Sequence, residues 1–395
     1  MDRSKWEYKK LGDIAIVSAG QGAPQGDSNY SPVGTPFVKA GNIESLVKGL
    51  SEYEIQKVND EVAKSHRLKI YKAGSVLFAK SGMSCMKGLV YTLKNDCYVV
   101  SHLAIVTPKN VDSHYLNYFF QVNKPNSLIK DSAYPSISLK DIEKMIVLYP
   151  PLADQQRIVA ELDCLKEMIA MKQEQLKEFD KLAQSIFYDM FGDPVANEKG
   201  WEKNKLDELY KVTSSKRILQ SEWQDNGVPF YKVADIVNLI GGMAVVPSTF
   251  IKESTYNEFM RQGLVPDSGD ILITSRGTLG ECYIVLDGDK FYFQDGMITW
   301  LSQKANSILP IYLKSVFGTK SFLDSLIHNA NMSTVAYLSI GQLSKVKIPL
   351  PPRALQQQFA DKISAIEAQK ELVKQSIAET QHLLDYTMDK YFGYD

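Results

Sequence analysis

Apolar side chains recur at alternating steps of four and three residues along two stretches of the chain. The first runs Ile158, Leu162, Leu165, Ile169, Lys172, Leu176, Phe179, Ala183, Ile186, Met190, broken at Lys172 alone. The second runs Phe359, Ile363, Ile366, Lys370, Val373, Ile377, Thr380, Leu384, Thr387, Tyr391. Such spacing, sustained over about five heptads, predicts two helices with coiled-coil pairing seams. Pro150-Pro151 and Pro351-Pro352 open the helices, and Gly192 and Gly393 close them. At roughly 1.5 Å per residue each spans on the order of 60 Å. Elsewhere the pattern changes. Short apolar runs at 74–79, 99–106, 269–274 and 290–293, bounded by Gly, Asp, Asn and Ser, predict strands. No helical pattern alternates regularly with them, which favours a mixed α+β domain over a parallel βαβ fold.

The chain is written twice. Trp6-x4-Leu11-Gly12-Asp13-Ile14 returns as Trp201-x4-Leu206-Asp207-Glu208-Leu209, and Pro36-Phe37-Val38-Lys39 returns as Pro229-Phe230-Tyr231-Lys232. Gly74 to Gly82 returns as Gly269 to Gly277, and from Ser138 onward the offset locks at 201. A drifting offset means loops that absorb insertions, whereas a fixed one means a regular element that cannot. The expected organisation is therefore a domain at 1–150, a helix at 151–192, a second domain at 193–350 and a second helix at 351–395. Because Gly192 lies only nine residues before Trp201, the second helix must run back along the first. An antiparallel pair, with a pseudo-two-fold internal repeat, should place Ile158, Leu162, Leu165, Ile169, Leu176 and Phe179 on one seam. Ile363, Ile366, Val373, Ile377 and Leu384 should form the other.

Composition narrows the class. A chain of 395 residues with 44% hydrophobic and 23% charged residues is long enough for two cored domains and too apolar for disorder. It has no bilayer-length apolar run and no signal-peptide core, so a cytoplasmic protein without a membrane partner is expected. Cys85, Cys97, Cys164 and Cys282 show no C-x-x-C spacing, and the five histidines show no i, i+4 pair, so no metal site is expected. Net charge is -1, but residues 1–151 carry 19 basic against 14 acidic side chains. Any affinity for nucleic acid must come from local faces.

Catalytic motifs are missing. There is no P-loop. Tyr149-Pro150-Pro151-Leu152 lacks the flanking groups of an amino-methyltransferase loop, and Asp287-Gly288-Asp289-Lys290 reads more simply as a turn than as a nuclease site. Binding chemistry remains. Lys80-Ser81-Gly82, with Lys87 nearby, and Thr274-Ser275-Arg276-Gly277 each follow a strand with small, hydroxyl and basic residues at matched places. Such loops let main-chain N–H groups approach phosphate while Lys or Arg supplies charge or base contacts. Lys39 and Lys232 form a second matched basic position. Tyr134 and Ser136, with Asn331 and Ser333, lie in polar loops before the fixed-offset region and suit base edges.

Pro150-Pro151-Leu152-Ala153-Asp154-Gln155-Gln156-Arg157-Ile158 before a long heptad helix, repeated at Pro351-Pro352-x3-Gln356-Gln357, resembles the specificity subunits of type I restriction-modification systems. The resemblance covers nearly the whole chain. It implies two target-recognition domains, each reading half of a split site on double-stranded DNA, with the helices fixing the gap. It also implies docking of two methyltransferase subunits and of restriction-translocase subunits. Cofactors would belong to those partners: S-adenosylmethionine to the methyltransferase, ATP and Mg to the nuclease. This chain would have no catalytic centre of its own. The rival reading is a coiled-coil scaffold that presents two protein-binding modules.

Overall fold

A computed structural model of the protein describes residues 6–243, 245–276, 279–328 and 337–393. The chain divides into two compact units, Met1–Gln173 with Lys374–Asp395, and Glu174–Val373. The division falls inside the long helices, so each unit contains a globular part and one half of each helix.

In the first unit, β1 (Glu7–Lys10) is followed by β2 (Ala15–Ala19), β3 (Thr35–Val38), β4 (Lys57–Val58), β5 (Val76–Ala79) and β6 (Val90–Thr92). Then come β7 (Tyr98–Val99), β8 (Leu103–Pro108) and β9 (Ile146–Tyr149). These strands form an antiparallel sheet β2-β8-β5-β6, a mixed sheet β4-β3-β7 and a ribbon β1-β9. Val76 to Ala79 are all buried, as expected of a central strand covered on both faces. The second unit contains β10 (Lys203–Lys205), β11 (Tyr210–Thr213), β12 (Val228–Tyr231), β13 (Phe250–Ile251) and β14 (Ile271–Thr274). It continues with β15 (Cys282–Ile284), β16 (Tyr292–Phe293), β17 (Ile298–Gln303) and β18 (Lys347–Pro349). Their order is β11-β17-β14-β15, β13-β12-β16 and β10-β18, the same arrangement again. Register repeats too, Val76 facing Val106 in one unit and Ile271 facing Leu301 in the other. The internal repeat is thus a repeat of fold.

One expectation needs correction. The apolar run 99–106 is two strands, because the chain turns at Ser101-His102: β7 pairs parallel with β3, and β8 pairs with β5.

The long helices are Leu152–Phe191 and Arg353–Phe392. Within the first unit, Tyr391 Oη donates to Glu161 at 2.9 Å, while Lys172 Nζ donates to Ser376 Oγ and Thr380 Oγ1, both at 2.8 Å. Early residues of one helix therefore lie beside late residues of the other, and the pair is antiparallel. Within the second unit, Lys370 meets Asp180 at 2.8 Å, and Phe359 packs edge-on against Phe187 and Phe191. Ile158, Leu162, Leu165, Ile169 and Leu384 are buried in the first core, with Ile377 packed against it. Ile363 and Ile366 are buried in the second, with Phe179 against it. Leu176 and Val373, near the middle of their helices, are half-buried. Lys172 breaks the apolar seam, but its three oxygen partners satisfy it.

Each helix start is bolted to its unit by a buried glutamine. Gln155 Oε1 accepts from Asp112 N–H at 2.8 Å and its Nε2 donates to Pro150 O at 2.7 Å. Gln356 accepts from Leu309 N–H at 2.8 Å and donates to Pro351 O and Ser307 O. Among the described residues no helix is long and apolar enough to cross a membrane.

Candidate nucleic-acid interface

Strand directions gather the matched loops. Strands β3 and β7 run parallel, so both end at one edge of the first unit. The chain then turns into β8, whose start, Leu103, lies opposite Ala79 at the end of β5. Lys39, the Ser101-His102 turn and Lys80-Ser81-Gly82 all follow strand ends at this edge. The segment 134–136 joins them: Gly82 N–H donates to Pro135 O at 3.0 Å, and Ser81 forms a bridge with Ser136. Two loops nominated separately by the sequence are therefore one surface. Gly82 has φ +76°, which a side chain would strain.

Several side chains are held in place. Lys39 Nζ sits 4.1 Å from the centre of the Tyr30 ring and donates to Gln56 Oε1 at 2.7 Å. Ser81 Oγ and His102 Nδ1 are 2.8 Å apart. Gln21 is stitched to the same edge through Val99 O and Ser101 N–H, and its side chain binds Arg67 O and Lys69 N–H. A Cβ at Gly20 would fall 2.2 Å from Val99 O and Val100 O, so only glycine permits this approach. Arg67 and Lys69, both exposed, thus join the face. Tyr134 is 82% exposed on it, an aromatic surface available for stacking.

The second unit repeats the plan. Lys232 Nζ sits 4.6 Å from the Trp223 ring, and Trp223 is displaced from Tyr30 by 193 residues, as Lys232 is from Lys39. Both lysines follow the end of a parallel strand, and a helical carboxamide or carboxylate, Asn42 or Asp235, holds each backbone N–H at 2.8 Å. Arg276 is exposed and bridges Tyr337. Ser215 Oγ donates to Phe293 O and Lys216 N–H to Tyr292 Oη, which brings the exposed Lys216 and Arg217 to this edge.

Three sequence candidates are corrected. Thr274 and Ser275 are buried, and the Ser275 hydroxyl is 2.6 Å from Thr299 Oγ1, so both shape the loop from beneath it. Lys87 lies at the far end of a 3-10 helix from Gly82 and pairs with Glu44 at 2.5 Å. It lines a separate cleft of about 1340 Å³, together with Tyr118, Lys166 and Met388. Burial there lowers the Lys166 pKa. Gly277, Asn331 and Ser333 fall outside the described residues. The Asp287–Lys290 segment is a turn, in which Asp289 accepts from Leu286 N–H and Tyr283 Oη.

His102, Tyr337, Arg67, Lys69, Lys216 and Arg217 escaped the sequence reading. The basic pair Lys216-Arg217, directly after two serines and a strand, carried a usable signal. His102 and Arg67 did not, because only tertiary pairing puts them at the edge.

Two copies of one domain, each with a basic edge and each built onto an antiparallel helix pair, fit a class of proteins that recognise DNA. The sequence profile of the type I restriction modification DNA specificity domain matches residues 3–179 and 198–382, and the chain belongs to that family. It is similar to the type I restriction enzyme MjaIX specificity subunit of Methanocaldococcus jannaschii, 24% identical over 90% of this chain and 85% of the relative. The MjaVIII specificity subunit of that organism is 23% identical over 92% and 86%. The fold is shared with the S subunit of a type I restriction-modification system from M. genitalium, at a TM-score of 0.52, 14% identity and 99% and 96% coverage. A structure from work on assembly and conformational transition of the type I R-M system gives a TM-score of 0.61 at 20% identity, covering 98% and 97%. The chain's role is DNA recognition.

Proposed function

We propose that each unit reads one half of a two-part site on duplex DNA, and that the long helices set the unspecified gap between the halves. The observation that carries this reading is the recurrence of one basic edge on two copies of one fold, with matched lysines and unmatched neighbours. Matched cations meet phosphate, which is the same everywhere; unmatched side chains meet bases, which differ. The exposed Met168, Met171, Leu383 and Tyr386 on the helices of the first unit, and Leu182 and Leu372 in the second, offer apolar surface for two methyltransferase subunits. Those partners would bring S-adenosylmethionine, and a translocating nuclease would bring ATP and Mg, so catalysis would reside outside this chain. The complex would work in the cytoplasm, where the DNA is. A scaffold for protein partners is disfavoured by the family membership and by the basic edges.

Binding of the chain with its methyltransferase partner to duplex DNA, measured across salt, tests the reading. About six to ten phosphate contacts predict a loss of roughly 10³ to 10⁵ in affinity between about 50 and 200 mM salt. Affinity that is flat with salt would remove the nucleic-acid reading.

A further inference from the structure

On the reading that these edges meet DNA, the repeat separates the fixed parts of the interface from its variable ones. In the first unit Lys80 N–H donates to His102 O at 2.9 Å, Ile137 N–H donates to Lys80 O at 2.7 Å, and Ser81 bridges Ser136. In the second, Ser275 N–H donates to Met297 O at 2.9 Å, Leu338 N–H donates to Ser275 O at 3.1 Å, and Arg276 bridges Tyr337. These are the same three links, displaced by 195 residues in the strand and turn and by 201 in the returning segment. All are made by main chain, so the frame leaves the side chains mounted on it unconstrained.

Those side chains differ completely. The first unit places exposed His102 and Ser136 there with half-buried Ser81; the second places exposed Arg276 there, with Met297 and Tyr337 half-buried and Met297 resting on the core beneath. By contrast, the lysine on its aromatic platform is the same in both. We propose that these three frame positions are where each unit selects its bases, and that Lys39 and Lys232 hold the backbone in register. The chemistry fits distinct targets. The Ser81 hydroxyl fixes the His102 ring through Nδ1, and hydroxyl and imidazole together both donate and accept, as the adenine edge with its N7 acceptor and N6 donor requires. Arg276 supplies the planar fork that pairs with guanine O6 and N7, while Met297 and Tyr337 bring apolar surface suited to a thymine methyl.

The test uses the full chain with its methyltransferase partner and reads methylated sites by sequencing. The paired exchange S81R with H102M should change the half-site of the first unit at one or two positions, leaving the other half-site and the gap as they were. R276S with M297H should do the converse. In competition binding, His102→Ala should reduce discrimination at one base position by roughly tenfold to a hundredfold. An unchanged motif with methylation retained would overturn the assignment while leaving the DNA reading intact. Equal binding of the wild-type complex to cognate and random duplex would instead defeat the reading beneath it. If a paired exchange fails to fold, His102→Ala and Met297→Ala, which only remove atoms, decide between the same outcomes.

Discussion

Lys87 is exposed and basic, yet its ammonium and that of Lys48 converge on Glu44. The hydrogen bonds from Lys48 and then Lys87 hold the Glu44 carboxyl down at about 2, against an ordinary value of 4.5. A carboxyl whose pKa is depressed by folding stabilises the native state fully above its unfolded value. That contribution is lost as the proton returns. The cluster should therefore help the first unit above pH 4.5 and lose its effect between there and about pH 2. Melting temperatures of wild type and Glu44→Gln should differ by a constant amount near neutral pH and converge by about pH 2. A gap that persists unchanged to pH 2 would contradict the assignment. At this scale the sequence exposed matched residues well, since Lys39 with Lys232 and Ser81 with Arg276 occupy like places. It could not tell an exposed cation from a paired one, as Lys87 illustrates. Nor could it separate a surface hydroxyl from a buried one, as with Ser275, because both distinctions depend on neighbours far away in the chain.

Elements were legible where a period governs them. The long helices follow from their heptads, and within each unit their antiparallel pairing agrees with the short link from Gly192 to Trp201. Strands were legible as apolar runs, but the break at Ser101-His102 was not, because two apolar strands in different sheets read as one run. The repeated Gln155 and Gln356 make a sharper prediction about the helix starts. Each is fully buried and bonds a loop N–H of its own unit, whereas Gln156 and Gln357 are exposed. Gln155→Leu leaves the Asp112 N–H and the Pro150 carbonyl without this partner, and Gln356→Leu leaves the Leu309 N–H and the Pro351 and Ser307 carbonyls, at about 2 kcal/mol for each variant. Gln156→Ala should cost less than about 0.5 kcal/mol. Denaturant unfolding of the three variants checks the contrast, and equal effects at Gln155 and Gln156 would refute the bolt.

For the whole molecule, the duplication carries most of the argument. One fold written twice, with different side chains on a shared frame, calls for a target in two unlike halves. On the proposed reading the helices would act as a spacer, whose length is independent of what either half reads. Inserting one heptad into both helices should lengthen the gap in the recognised site while both half-sites stay the same, and altered half-sites would contradict a spacer role. The most direct measurement is the sequencing of methylated positions in DNA from cells carrying the chain with its methyltransferase partner. Two short, different sequences separated by a gap of fixed length and no preferred bases are expected. A single continuous motif, or methylation without sequence preference, would contradict the two-part reading.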